Sequence, residues 1–102
     1  MTNDLSNGAV MTTASASATL INAVGLHARP SVKLTQLAKS FVSSVEFALE
    51  PEGPWTDAKS PVRVMRVKAP KGATLHIRAD GIDADTAVAA LIDLINRKFD
   101  ED

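Results

Sequence analysis

The string Gly25-Leu26-His27-Ala28-Arg29-Pro30 concentrates more chemistry than any other stretch of the 102-residue chain. An imidazole is a nucleophile toward phosphorus, and the P–N bond it forms stays labile enough to be passed on. The string stands where a β-compatible segment gives way to a helical one, and a helix start presents backbone N–H groups with no partner inside the helix. Those amides, Ala28 contributing one, and the guanidinium of Arg29 are suited to meet the oxygens of a phosphoryl group. Acceptor and anion site thus coincide at His27. The residues within three positions of His27 include no Asp or Glu. The string therefore offers no base to activate water, and fast hydrolysis is not expected of it.

The rest of the composition narrows the field. A chain of this length has room for one compact domain and little room for a deep substrate cavity, which favours a carrier, adaptor or binding module over a metabolic enzyme. An apolar content of 45% with 23% charged residues reads as globular. The formal net charge of -1 gives no cationic footprint for DNA or RNA. With no cysteine there is no disulfide, thiolate nucleophile or zinc-thiolate site, and two widely separated histidines make a multi-histidine metal site improbable. No metal and no cofactor is implied. Neither a secretory leader nor a membrane-spanning run stands out, so a soluble, cytoplasmic protein is expected.

The elements that must position His27 follow from periodicity and punctuation. Residues 1–16 are small and polar without sustained periodicity and read as a disordered tail, with the folded domain spanning 17–102. Ala18 to Val24 is β-compatible, with Leu20 and Asn22 sharing a face. Gly25 breaks it. A helix is expected from just after His27 to about Phe41, on the spacing of Leu37, Ala38 and Phe41. Val45, Phe47 and Leu49 alternate as a strand, Pro51-Glu52-Gly53-Pro54 forces a turn, and Trp55 to Asp57 returns. Ser60-Pro61 is a helix start, with Ser60 as cap and Pro61 at a position that has no use for its missing N–H. That helix runs to about Val67. Ala73 to Ala79 alternates again, with Leu75, Ile77 and Ala79 inward and Thr74, His76 and Arg78 outward. Asp83 then reads as the cap of a last helix whose stripe runs through Ala87, Val88, Leu91, Ile92, Ile95 and Phe99. The order βαββαβα defines an α+β class: a two-layer, open-faced sandwich of a four-stranded antiparallel sheet with three helices on one face.

The six-residue string resembles the phosphorylation-site motif of HPr, the histidine-containing phosphocarrier family of the bacterial phosphotransferase system. The resemblance extends over roughly Ala18 to Phe99, because Ala38 and Phe41 follow at the family's spacing and the element order is the family's. Ala58-Lys59-Ser60 is similar to a second family motif. The resemblance implies Enzyme I as phosphoryl donor, an Enzyme IIA-type protein as acceptor, His27 Nδ1 as the phosphorylated atom, and Arg29 as its stabilising partner. It also implies a serine kinase/phosphorylase as a regulator at Ser60, and a docking surface of Val62, Met65 and Val32 ringed by Arg29, Arg63 and Arg66. Such a protein is a phosphoryl-transfer carrier rather than a stand-alone enzyme, serving either sugar uptake or a nitrogen-related regulatory branch. The chain departs from the family in a longer turn at residues 50–54, in Pro61, Val62 and Arg63 after Ser60, and in Lys68 where a glycine is usual.

A second reading keeps the fold and makes Ser60 the switch of a regulatory adaptor. The intact histidine string favours the carrier. Met65 fits either core packing or an exposed contact, Trp55 reads as a packing residue of the hairpin, and His76 as an ordinary surface histidine.

Overall fold

The computed structural model describes residues 12–101 of the chain. Four strands and three helices follow one another as β1 (Thr12–Thr19), α1 (Arg29–Lys39), β2 (Ser44–Ala48), β3 (Thr56–Asp57), α2 (Pro61–Val67), β4 (Thr74–Gly81) and α3 (Ala84–Asn96). The strands form one antiparallel sheet in the order β1-β4-β2-β3. The helices cover one face, and Leu75, Ile77 and Ala79 of β4 meet Val45 and Phe47 of β2 and Leu91 and Ile95 of α3 in the core beneath them. The other face is open. On it Ser15, Arg78 and Glu46 lie in one cross-strand row, with the Arg78 guanidinium ion-paired to Glu46 and stacked 3.9 Å from the Trp55 ring.

The first strand lies elsewhere than the apolar pattern suggests. It runs from Thr12 to Thr19, so residues 12–16, expected in a disordered tail, are paired with β4 from Gly81 to Ile77. The rest of that expected tail, residues 1–11, lies outside the described residues. The strand is made of Thr, Ser and Ala and has no alternation of large apolar residues to announce it; its register comes from the β4 ladder. Leu20 and Asn22 are buried as the shared face implies, but in a loop. Leu20 exchanges backbone hydrogen bonds of 2.8 Å with Ala73 and Gly72 instead of extending the strand.

Two helix ends also differ. α3 stops at Asn96, and Phe99 reaches the core through a turn in which Lys98, Phe99 and Asp100 all have positive φ. Asp83 stands at the N-cap of α3 without capping it: its carboxylate accepts from the backbone N–H groups of Val42 (2.9 Å) and Ser43 (2.8 Å) and from the Ser43 hydroxyl. This clasp ties the loop after α1 to the turn after β4. Gly81 makes the approach possible, because a Cβ there would lie 2.3 Å from Ser43 Oγ. Lys68, where a glycine is usual in the family resembled, closes α2 in the left-handed conformation at φ 53, ψ 43, which favours glycine.

The Ser43 hydroxyl foremost, and then the Val42 and Ser43 amides, hold the Asp83 carboxyl down at about 2. A depressed folded-state value contributes stability above the ordinary carboxylate range, and that contribution is lost as pH falls through the range toward 2. Asp83→Asn should therefore lower the urea midpoint at pH 7, and the two proteins should converge between pH 4 and pH 2. Equal midpoints at pH 7 would show that the clasp contributes nothing to stability.

Candidate functional site

Leu26 and Pro30 are buried, and His27, Ala28 and Arg29 between them are exposed. The chain thus leaves the core and returns to it within five residues. Leu26 N–H donates to Ala69 O at 2.8 Å, and Asn22 Nδ2 donates to Gly25 O at 2.8 Å, so the approach is fixed from two sides. Gly25 sits at φ 64, and a Cβ there would lie 2.5 Å from Ala69 O. Only glycine fits that crossing.

The turn itself falls on Ala28, at φ 45 and ψ -114. A residue with a Cβ occupies that region at a cost of about 1–3 kcal/mol. Ala28 is the N-cap of α1 and has no side chain able to cap; no other side chain takes its place. The first bond of the helix is Val32 N–H to Ala28 O at 3.2 Å, and Pro30 has no N–H to leave unpaired. First-turn amides therefore remain available to an anion beside His27. Among the described residues neither ring nitrogen of His27 makes a hydrogen bond.

The other expected residues group as follows. Val32 of α1 and Val62 and Met65 of α2 are 43%, 60% and 45% exposed, which decides Met65 as a surface residue. The two helices pack side by side, and Arg63 and Arg66 are exposed on α2. Val24 and Ile21, in the loop before His27, are exposed too. Ser60 caps α2 by accepting from Arg63 N–H at 3.4 Å, and among the described residues no hydrogen bond or ion pair links it to the His27 corner. His76 lies on the open face of the sheet, opposite Ser17 and Ala48 and across the sheet from the helices.

Two residues of this region lie beyond the motif's own neighbourhood. Glu101 Oε1 is 3.2 Å from Arg29 Nη2, and Glu101 Oε2 is 2.6 Å from Lys33 Nζ. A carboxylate therefore does stand beside the string, brought from the far end of the chain, with both oxygens held by cations. Among the described residues no cluster of His, Asp and Glu is placed to hold a metal ion.

An open-faced sandwich with an exposed imidazole on a strained corner defines a protein that meets its reaction partner at the surface, as a carrier does. The comparisons agree. A family model described as "PTS HPr component phosphorylation site" matches residues 14–97. The phosphocarrier protein HPr of Cupriavidus necator is 47% identical over 83 residues, 81% of this chain and 91% of that protein. HPr of Pseudomonas aeruginosa is 41% identical and the phosphocarrier protein NPr of Escherichia coli 35% identical, each over the same shares of the two chains. Among solved structures, HPr-C-His from Thermoanaerobacter tengcongensis superposes with a TM-score of 0.80 at 32% identity, covering 87% of this chain and 98% of that one. A histidine-containing phosphocarrier protein of Mycoplasma superposes with a TM-score of 0.73 at 32% identity, over 84% and 94%. The chain belongs to the HPr family, and it is a phosphocarrier of the phosphotransferase system.

Gly25→Ala tests whether the crossing at Ala69 sets the corner. The added methyl meets backbone at 2.5 to 2.8 Å in a left-handed conformation, and a loss of about 2–3 kcal/mol in urea unfolding is expected. A change below about 0.5 kcal/mol would mean that the loop has room the structure does not show.

Proposed function

We propose that His27 is the residue that carries the phosphoryl group, taking it at Nδ1 from Enzyme I and handing it to an Enzyme IIA-type protein. The observation that carries this reading is the corner itself: an exposed, unbonded imidazole fixed next to an uncapped helix start and the exposed guanidinium of Arg29. In the transfer the Nδ1 lone pair forms the new P–N bond while the bond between phosphorus and the donor breaks, and the donor atom leaves with that electron pair. Arg29 and the first-turn amides, Ala28 among them, meet the phosphoryl oxygens and stabilise the charge on them. Transfer onward reverses these steps on the acceptor's nucleophile.

Val32, Val62, Met65 and Val24 supply an apolar contact area around this chemistry, and Arg63 and Arg66 supply charge complementary to acidic partner surfaces. Both partners must use one surface in turn, because there is one phosphoryl group to pass. The carrier works in the cytoplasm; no described helix is long and apolar enough to cross a membrane. Hydrolysis is slow in this reading, since the residues within three positions of His27 include no Asp or Glu to activate water, and Glu101 is paired with Lys33. A serine kinase acting on Ser60 would add about -1.5 to -2 charge at the head of α2 and oppose acidic partners. Ser60 serves as the cap of that helix with or without a kinase, and the intact Gly25-Leu26-His27-Ala28-Arg29-Pro30 string is what favours the carrier over a regulatory adaptor switched at Ser60.

Labelled phosphate from phosphoenolpyruvate, delivered through purified Enzyme I, should appear as acid-labile label on the wild type and on His76→Ala. It should be absent from His27→Ala. Arg29→Ala should accept label about 10²-fold more slowly, as expected for the loss of one charge-stabilising donor. Label retained by His27→Ala would overturn the assignment.

A further inference from the structure

Two departures of this chain from its family, the longer turn at residues 50–54 and Arg63 after Ser60, meet on the side of α2 that faces β3. The turn is closed by Gly53 N–H donating to Glu50 O at 3.0 Å, and a Cβ on Gly53 would lie 2.8 Å from Trp55 Cδ1, so it packs against the indole. Under it Phe47, Leu49, Pro54 and Val67 line an apolar pocket of about 250 Å³, room for one leucine or phenylalanine side chain. Trp55, Arg63 and Arg66 line a shallow groove of about 320 Å³ beside it, and the two hollows share Thr56 and Val67. Arg63 and Arg66 stand exposed one turn apart, and among the described residues neither has a carboxylate partner. Two like charges at that spacing repel, and an anion laid across them relieves both. Charge is also segregated: the arginines line the groove, and the carboxylate of Glu50 lines only the pocket.

We propose that this groove and pocket form one docking site for a short acidic segment of a protein partner, whose carboxylates lie on Arg63 and Arg66 and whose next apolar side chain fills the pocket. The order of the segment follows from the segregation of charge, since an acidic residue placed in the pocket would meet Glu50. A protein segment is favoured over a free amphiphile by continuity. Val62 and Met65 are exposed on the neighbouring stripe of α2, so a partner seated on them reaches the groove without a second encounter. The site goes beyond the reading of His27 as acceptor and does not depend on it, because no residue of the histidine string lines either hollow. Its consequence is selection among partners: a partner with such a segment gains a contact that one without it lacks.

The full chain is titrated with a blocked Glu-Asp-Glu-Leu tetrapeptide, with the same peptide ending in Ser, and with isoamyl phosphate as the free amphiphile. Binding is read from the fluorescence of Trp55, the one tryptophan of the chain, and located by amide shifts in 15N NMR. The leucine peptide should shift Thr56, Val67 and the Trp55 indole, and bind about tenfold more tightly than the serine peptide, as one buried apolar side chain requires. His27→Ala should bind it equally well. Replacing Arg63 and Arg66 together by Ala should weaken it about fivefold or more and flatten its salt dependence. Val67→Phe and, from the opposite wall, Thr56→Leu narrow the pocket, and each should bring the leucine peptide down to the affinity of the serine peptide. Equal affinity of the two peptides, an affinity unmoved in the narrowed variants, or shifts elsewhere on the surface would overturn the proposal. Tighter binding of isoamyl phosphate than of the leucine peptide would also overturn it, in favour of a small-molecule pocket.

Discussion

Between Leu26 and Pro30 the backbone must come out of the core, expose three residues and go back in, and this excursion governs the rest of the working end. Both anchors are buried, so the corner between them cannot relax by sliding outward. The strain falls on Ala28 at φ 45, and the unfavourable torsion is tolerable because burial on either side over-determines it. The result is an imidazole presented to solvent on a rigid mount. Rigidity matters for a carrier, because it must fit two partners in turn without reorganising for each.

The same excursion explains why distant segments converge on it. The loop carrying Gly25 and Leu26 lies against residues 69–73 through backbone hydrogen bonds, so the strand that follows, β4, is registered to the site. β4 in turn pairs with β1 and β2 and forms the middle of the sheet. α3 packs on that sheet and ends in the turn that delivers Glu101 to Arg29. The clasp of Asp83 on Val42 and Ser43 closes the loop after α1 in the same way. Local strain at the corner is thus carried by the whole core.

Much of this was legible in the sequence. The motif string, the Ser60-Pro61 helix start and the alternation of Leu75, Ile77 and Ala79 each have a local physical cause, and each is where it was expected. β1 was not legible, since a strand of Ser, Thr and Ala beside an ordered partner takes its identity from the partner's ladder. The spacing of Leu37, Ala38 and Phe41 predicts α1 as a helix, but its buried face includes Ser31 and Thr35, so polar residues occupy positions that periodicity assigns to the apolar side. Asp83 satisfied the pattern of a cap while its carboxylate had a better use across the chain, where three donors converge. Glu101 could not be read from the motif at all, because its place depends on three left-handed residues that no pattern of side chains specifies.

The central claim, that His27 Nδ1 is the atom that carries the phosphoryl group, is tested most directly by long-range 1H–15N NMR of the imidazoles in uniformly labelled protein, before and after phosphorylation. The one-bond coupling to phosphorus should appear at His27 Nδ1, with His27 Nε2 shifting but carrying no such coupling, while both nitrogens of His76 stay where they were. A phosphorus coupling at Nε2 of His27, or at either nitrogen of His76, would contradict it.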